Sequence, residues 1–124
     1  MAYKEEGKWW VSPANYLPEV TKNYHFPEHI EILDTTLRDG EQEPGIIFTR
    51  EDKVAIAKRL DAAGVHRIEA GCPMTSEEDA AAIKEICALG LKAKIYCFVR
   101  GVMSDMDVAK ACGVDGVVIE VPGS

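Results

Sequence analysis

Arg38 and Asp39 stand side by side in the stretch 34–45, which reads DTTLRDGEQEPG and directly follows the apolar run Ile30-Glu31-Ile32-Leu33. Folding alone gives little reason for an adjacent guanidinium and carboxylate at the end of a strand; chemistry does. The carboxylate can ligate a hard cation. The forked, always-protonated guanidinium suits a substrate carboxylate or a developing oxyanion better than a lysine would. Glu69, Arg100 and Glu120 occupy the equivalent place at the ends of three later apolar runs. A lone buried charge is costly, so strand-end charges are paired, bound to an ion or turned into a wet cleft. Two readings follow. Either these residues line one active-site rim, or Arg38 and Arg100 simply form ion pairs with Glu69 and Glu120. Agreement among four successive runs favours the first.

The elements that must carry these residues are legible as an alternation. Apolar, Ile- and Val-rich runs predict strands over 30–33, 66–70, 93–99 and 116–121, nearly continuous in apolar character, as for strands covered on both faces. Between them lie three amphipathic segments with start and stop signals. Thr49 with Asp52 opens a helix presenting Ile56, Leu60 and Ala63 on one face and stopping at Gly64. Thr75 with Glu78 forms a capping box before a helix that buries Ile83, Ile86 and Cys87 and ends near Gly90. Ser104 with Asp107 opens a shorter helix that ends before Gly113. The order β-α-β-α-β-α-β defines an α/β fold with about four parallel strands and three helices over residues 30–124, after an irregular lead-in over 1–29. In such folds ligands bind at the C-terminal ends of the strands, where the charges fall.

Composition narrows the function. The 124 residues are 47% apolar and 28% charged, as expected of a soluble globular chain. A net charge of −7 argues against a nucleic-acid partner or an anionic membrane surface. An anionic small molecule would have to be held by local cations, with Arg100 the candidate substrate-binding residue beside Arg38. The four cysteines form no Cys-x-x-Cys pair and sit in apolar segments, the pattern of reduced thiols in a cytoplasmic protein. Residues 1–10 lack the apolar region of a signal peptide, and no stretch has the length of a membrane span.

Leu37-Arg38-Asp39-Gly40-Glu41-Gln42, then ten residues, then Lys53, resembles the N-terminal signature of 2-isopropylmalate, homocitrate and citramalate synthases. Glu69 stands where the wider superfamily, which includes hydroxymethylglutaryl-CoA lyase and the pyruvate carboxyltransferase domains, has a Glu. The resemblance implies a TIM barrel, a role in amino-acid biosynthesis, and an acyltransferase that adds acetyl-CoA to a 2-oxo acid and then hydrolyses the thioester. It further implies that Asp39 ligates a divalent metal (Mg2+, Mn2+ or Zn2+) chelated by the 2-oxo acid. Arg38 would stabilise charge developing on the keto oxygen, Gln42 would line the pocket, and Glu69 would hydrogen-bond or assist proton transfer. The turn Glu41-Gln42-Glu43-Pro44-Gly45 favours the synthase over a lyase that runs similar chemistry in reverse.

A closed barrel of this type has eight strands and about 250 residues. The chain therefore reads as the N-terminal half of a (β/α)8 barrel, apparently truncated and inactive alone. It would be completed by a second copy in a homodimer or by a complementary C-terminal half; the non-enzymatic alternative is a silent half-barrel that acts by association. The family's late His-x-His ligand pair has no counterpart, since the histidines are His25, His29 and His66. His25 and His29 read as surface residues of the lead-in and His66 as structural. Trp9 and Trp10 read as packing residues, Cys72 and Cys97 as flanking the pocket without nucleophilic duty, and Glu77-Glu78-Asp79 as a solvated first helical turn.

Overall fold

The computed structural model describes residues 4–121 and 123, which fall into two units, residues 1–30 and 31–124. Residues 1–3 of the expected lead-in, and Pro122 and Ser124 of the expected barrel segment, lie outside the described residues. In the first unit, Lys4–Glu5 (β1) pairs antiparallel with Trp9–Trp10 (β2), and Gly7 turns between them at a φ of 73°. A 3-10 turn, Pro13–Tyr16, and one helical turn, Pro18–Thr21 (α1), follow. The lead-in thus carries short regular elements where the sequence suggested irregular chain. Pro13 and Pro18 each begin a helical turn, where the missing N–H is not needed.

The second unit runs Leu33–Asp34 (β3), Arg50–Ala62 (α2), Arg67–Glu69 (β4), Glu77–Ala88 (α3), Lys94–Arg100 (β5), Met103–Cys112 (α4) and Gly116–Glu120 (β6). The four strands pair in parallel in the order β3-β4-β5-β6, as half the strands of a (β/α)8 barrel would; the barrel is not closed. The first of these strands is shorter and later than its sequence suggested. It starts at Leu33, with Ile30 and Ile32 exposed, though Ile32 still accepts from the amides of His66 and Arg67. His66 Nδ1 in turn accepts from Ile32 N at 3.1 Å, a strut between strand beginnings rather than a site residue.

Only one sheet face is covered, which corrects the expectation of two. Ile68, Ile95, Cys97 and Val99 are buried, whereas Tyr96 and Phe98, between them on β5, are half-buried. The register pairs Ile68 with Ile95 and Glu69 with Tyr96, so Glu69 shares the second face with the two aromatic rings. The helices close the first face through Val54 and Ala57 of α2, Ile83 and Ile86 of α3, and Ala109 and Cys112 of α4.

Capping explains most helix boundaries. Thr49 accepts from Asp52 N while Asp52 accepts from Thr49 N, and Gly64 ends α2 at a φ of 85°. The buried side of α2 centres on Lys53, Val54 and Ala57; Ile56 and Leu60 pack against the core partly buried, as their spacing suggested, while Ala63 is exposed. For α3 the cap is Ser76, not Thr75, and Cys87 is only half-buried. In α4 the first residue is Met103, so Ser104 is not a cap.

Ile83 and Ile86 join this core with 1% and 0% exposure. Ile83→Ala should cost about 2–5 kcal/mol in urea unfolding. Ile47→Ala, at a site 87% exposed, should change stability by less than about 0.5 kcal/mol.

Candidate active site

The turn after β3 is built by its own side chains. Asp34 Oδ1 accepts from Thr36 N at 2.9 Å and Oδ2 from Thr36 Oγ1 at 3.2 Å, bending the chain as the strand ends. The Thr35 carbonyl then accepts from the amides of Arg38, Asp39 and Gly40 at 3.0, 2.8 and 3.3 Å. Leu37 is fully buried and pins this loop to the core. Beneath it runs Gly71 at a φ of 131°, where a Cβ would lie 3.6 Å from the Leu37 carbonyl oxygen. An L side chain rarely adopts that backbone, so glycine is required where the β4 exit passes the Arg38 turn.

From this loop Arg38 reaches across the sheet end. Its Nε donates to Glu69 Oε1 at 3.0 Å and its Nη1 to Asp39 Oδ1 at 3.1 Å. The guanidinium carbon sits 5.2 Å from the centre of the Phe98 ring. The side chains of Glu69, Arg38 and Asp39 are 1%, 23% and 63% exposed, a line of alternating charge running from interior to solvent. Among the described residues Nη2 of Arg38 makes no hydrogen bond, which leaves donors for an incoming oxygen.

A cavity of about 290 Å³ opens beside this line, bounded by Leu37, Arg38, Glu41, Gln42, Gly71, Cys72, Thr75 and Asp79. Two of its acids converge on Lys53, which is 3% exposed. Glu41 Oε2 lies 2.8 Å from the ammonium and Asp79 Oδ1 contacts it directly. Burial works against the charge on Lys53, but the hydrogen bonds it donates to Asp79 and then Glu41 outweigh it and hold the ammonium above its ordinary range. Asp79 is thus a half-buried partner of Lys53 rather than part of a solvated turn. Glu78 pairs instead with Arg50, through two 2.8 Å hydrogen bonds.

The structure brings Arg38, Asp39 and Glu69 together and sets Gln42 on the same cavity. Arg100 lies elsewhere on the rim, and not against Glu120. Its Nε and Nη2 donate to the two oxygens of Asp105 at 2.8 and 2.9 Å, and its backbone N donates to Asp105 Oδ2 at 3.1 Å. The Arg100 guanidinium draws the Asp105 carboxyl below the usual carboxylate range. Of the cysteines, Cys72 lines the cavity, while burial pushes the Cys97 thiol up to about 12 and the Cys87 thiol to about 11, both inert as nucleophiles at neutral pH. Among the described residues no three His, Cys, Asp or Glu side chains converge to hold a metal ion. No helix among the described residues is long and apolar enough to cross a membrane.

A family model described as HMGL-like matches residues 29–124, the span that carries this turn, the sheet and the cavity. The chain belongs to the HMGL-like family. It is 44% identical over 111 residues to homocitrate synthase AksA of Methanothermobacter thermautotrophicus, covering 90% of this chain and 27% of that protein. It is 44% identical over 115 residues to the 2-isopropylmalate synthase of Methanocaldococcus jannaschii, covering 93% and 21%. Homocitrate synthase 1 of a Nostoc species is 52% identical over 93 residues, covering 75% and 25%. The chain thus spans about a quarter of the length of the curated relatives it matches.

Within this HMGL-like unit, sequence reasoning did not find Phe98 as the platform under Arg38, nor the ties of Asp79 to Lys53 and of Asp105 to Arg100. A lysine three and four residues before Ile56 and Ala57 of an amphipathic segment was the one signal available in advance.

Because Glu69 is buried, Arg38→Ala should cost about 3–5 kcal/mol of folding stability by stranding an unpaired carboxylate. Arg38→Met combined with Glu69→Leu should recover most of that loss in the same unfolding assay. The depressed Asp105 carboxyl contributes stability that is full above the unfolded value of about 3.9 and lost as pH falls through the lower folded value. Asp105→Asn should therefore flatten the pH dependence of stability below about pH 4.

Proposed function

We propose that this chain is the N-terminal portion of a metal-dependent acyltransferase that adds acetyl-CoA to a 2-oxo acid and hydrolyses the resulting thioester. The observation that carries the reading is the Arg38 guanidinium, held at Nε by buried Glu69 and backed by the Phe98 ring, beside an exposed Asp39 at the C-terminal end of the sheet. Its likeness to proteins named homocitrate synthase and 2-isopropylmalate synthase supports it.

In this reading Arg38 donates to the keto oxygen of the 2-oxo acid as negative charge develops there. A fixed donor of this kind is worth about 3 kcal/mol of barrier. Glu69 orients Arg38 and keeps Nε occupied while Asp39 holds Nη1, so Nη2 is the group that faces the reacting oxygen. Gln42, on the cavity wall, hydrogen-bonds the substrate. Arg100 meets a substrate carboxylate with the exposed edge of a guanidinium already fixed by Asp105. A divalent metal would be held by Asp39, with its other ligands supplied from beyond these residues, and would contribute Lewis acidity at the keto group. The second half of the site comes from a further segment of the same polypeptide or from another subunit.

Replacing the matched segment of the Methanothermobacter homocitrate synthase with residues 29–124 of this chain tests the reading directly. The chimera should release coenzyme A from acetyl-CoA only when a 2-oxo acid and Mg2+ or Mn2+ are present. Arg38→Lys in that chimera should lower kcat by about 100- to 1000-fold with little change in folding. Undiminished thiol release from the Arg38→Lys chimera would remove Arg38 from the role assigned to it.

A further inference from the structure

Lys53 closes the sequence motif, yet it reaches no atom of Arg38 or Asp39 and stands outside the roles assigned above. Its ammonium is buried on the inner side of α2, where an apolar residue would ordinarily sit. Such a triad is weak evidence for stability, because well-packed apolar residues commonly match or exceed a buried ion cluster. Its placement points to a different duty. The two acids it binds come from different elements: Glu41 from the 3-10 turn Gly40–Gln42, which directly follows Asp39, and Asp79 from the first turn of α3.

Each acid is also fixed by its second oxygen. Glu41 Oε1 accepts from Phe48 N at 3.1 Å, and Asp79 Oδ2 accepts from Ser76 Oγ at 2.7 Å. Neither can swing away without breaking a second contact. Both line the cavity that Arg38 and Gln42 also line, so Lys53, which is not part of the lining, ties together two residues that are.

We propose that Lys53 is a positioning residue: by holding Glu41 and Asp79 at once it fixes the Asp39–Gln42 turn against α2 and α3, keeps Arg38 and Gln42 facing the cavity, and offsets carboxylate charge that would repel an anionic ligand. The last clause rests on reading the cavity as a 2-oxo acid site; the first two do not.

The test uses the 15N-labelled 124-residue chain. In Lys53→Met, the backbone amides of residues 38–42 and the Arg38 Nε–Hε signal should shift or broaden, while those of Ile68, Ile95, Cys97 and Val99 stay in place. Pyruvate titration should show affinity lowered by about tenfold or more, the scale of one unit charge acting over several ångströms at an effective dielectric constant of about 20. Lys53→Arg should restore both readouts. Turn signals unmoved by Lys53→Met would overturn the proposal whatever pyruvate does. If that variant unfolds, Glu41→Gln, which leaves Lys53 paired with Asp79, must give the same localised shift, and its failure to do so overturns the proposal equally. Displaced turn signals in a chain whose wild type ignores pyruvate would keep the clamp and reject the 2-oxo acid reading instead.

Discussion

A carboxylate with 1% of its surface exposed, holding a guanidinium that still faces an open cleft, sets the terms for the rest of this unit. Removing two charges from water costs more than their attraction returns unless the geometry is tight and the remaining hydrogen-bonding capacity is met. Here the surroundings supply that geometry. Leu37 anchors the loop on one side of Arg38, the Phe98 ring supports the guanidinium from below, and the Gly71 backbone leaves room at the end of β4. The pair is therefore closed on the Glu69 side and open on the Asp39 side, so the cation is rigid where it is buried and available where it is wet. Preorganisation of this kind is what electrostatic stabilisation of a developing charge requires.

The parts of this design that depend on near neighbours in the chain were legible in the sequence. Thr49 and Asp52 cap α2 reciprocally over three residues, and Gly64 and Gly113 end their helices in the left-handed region, so both boundaries follow from local chemistry. The adjacency of Arg38 and Asp39 is itself a sequence fact. The cap of α3 was not decidable in the same way, because Thr75 with Glu78 and Ser76 with Asp79 offer the same box one residue apart. Tertiary contact settles it: Asp79 is called inward by Lys53 of α2 and Glu78 outward by Arg50, and only Ser76 as cap allows both.

Two ion pairings were hidden in the sequence, one of them between residues only five apart, Arg100 and Asp105. In the β5–β6 register Arg100 lies directly opposite Glu120, the partner that the alternative reading of the strand-end charges offered. Asp105 wins because α4 begins at Met103, a residue earlier than its polar residues suggested. The early start buries the Asp105 carboxylate where it can accept from both the backbone and the fork of Arg100. Two hydrogen bonds from a guanidinium and one from an amide satisfy a buried acid better than a single exposed carboxylate on β6 satisfies an exposed arginine. The burial of Lys53 escaped notice similarly, since periodicity marks apolar residues and not a lysine whose partners lie 12 and 26 positions away.

The alternation along β5 links fold to chemistry. Ile95, Cys97 and Val99 turn to the helices and form the core, which leaves Tyr96 and Phe98 on the face shared with Glu69. Each ring lies against an arginine, Tyr96 at 5.8 Å from the guanidinium carbon of Arg67 and Phe98 at 5.2 Å from that of Arg38. Gly116 makes room for the Tyr96 ring, since a methyl group there would overlap it. Contacts of this type add about 0.5–2 kcal/mol each and hold a cation in place without consuming its hydrogen bonds. A face lined by aliphatic side chains would have given a dry interior. This one combines flat apolar support with a guanidinium held by Glu69 and Asp39, whose Nη2 makes no hydrogen bond among the described residues.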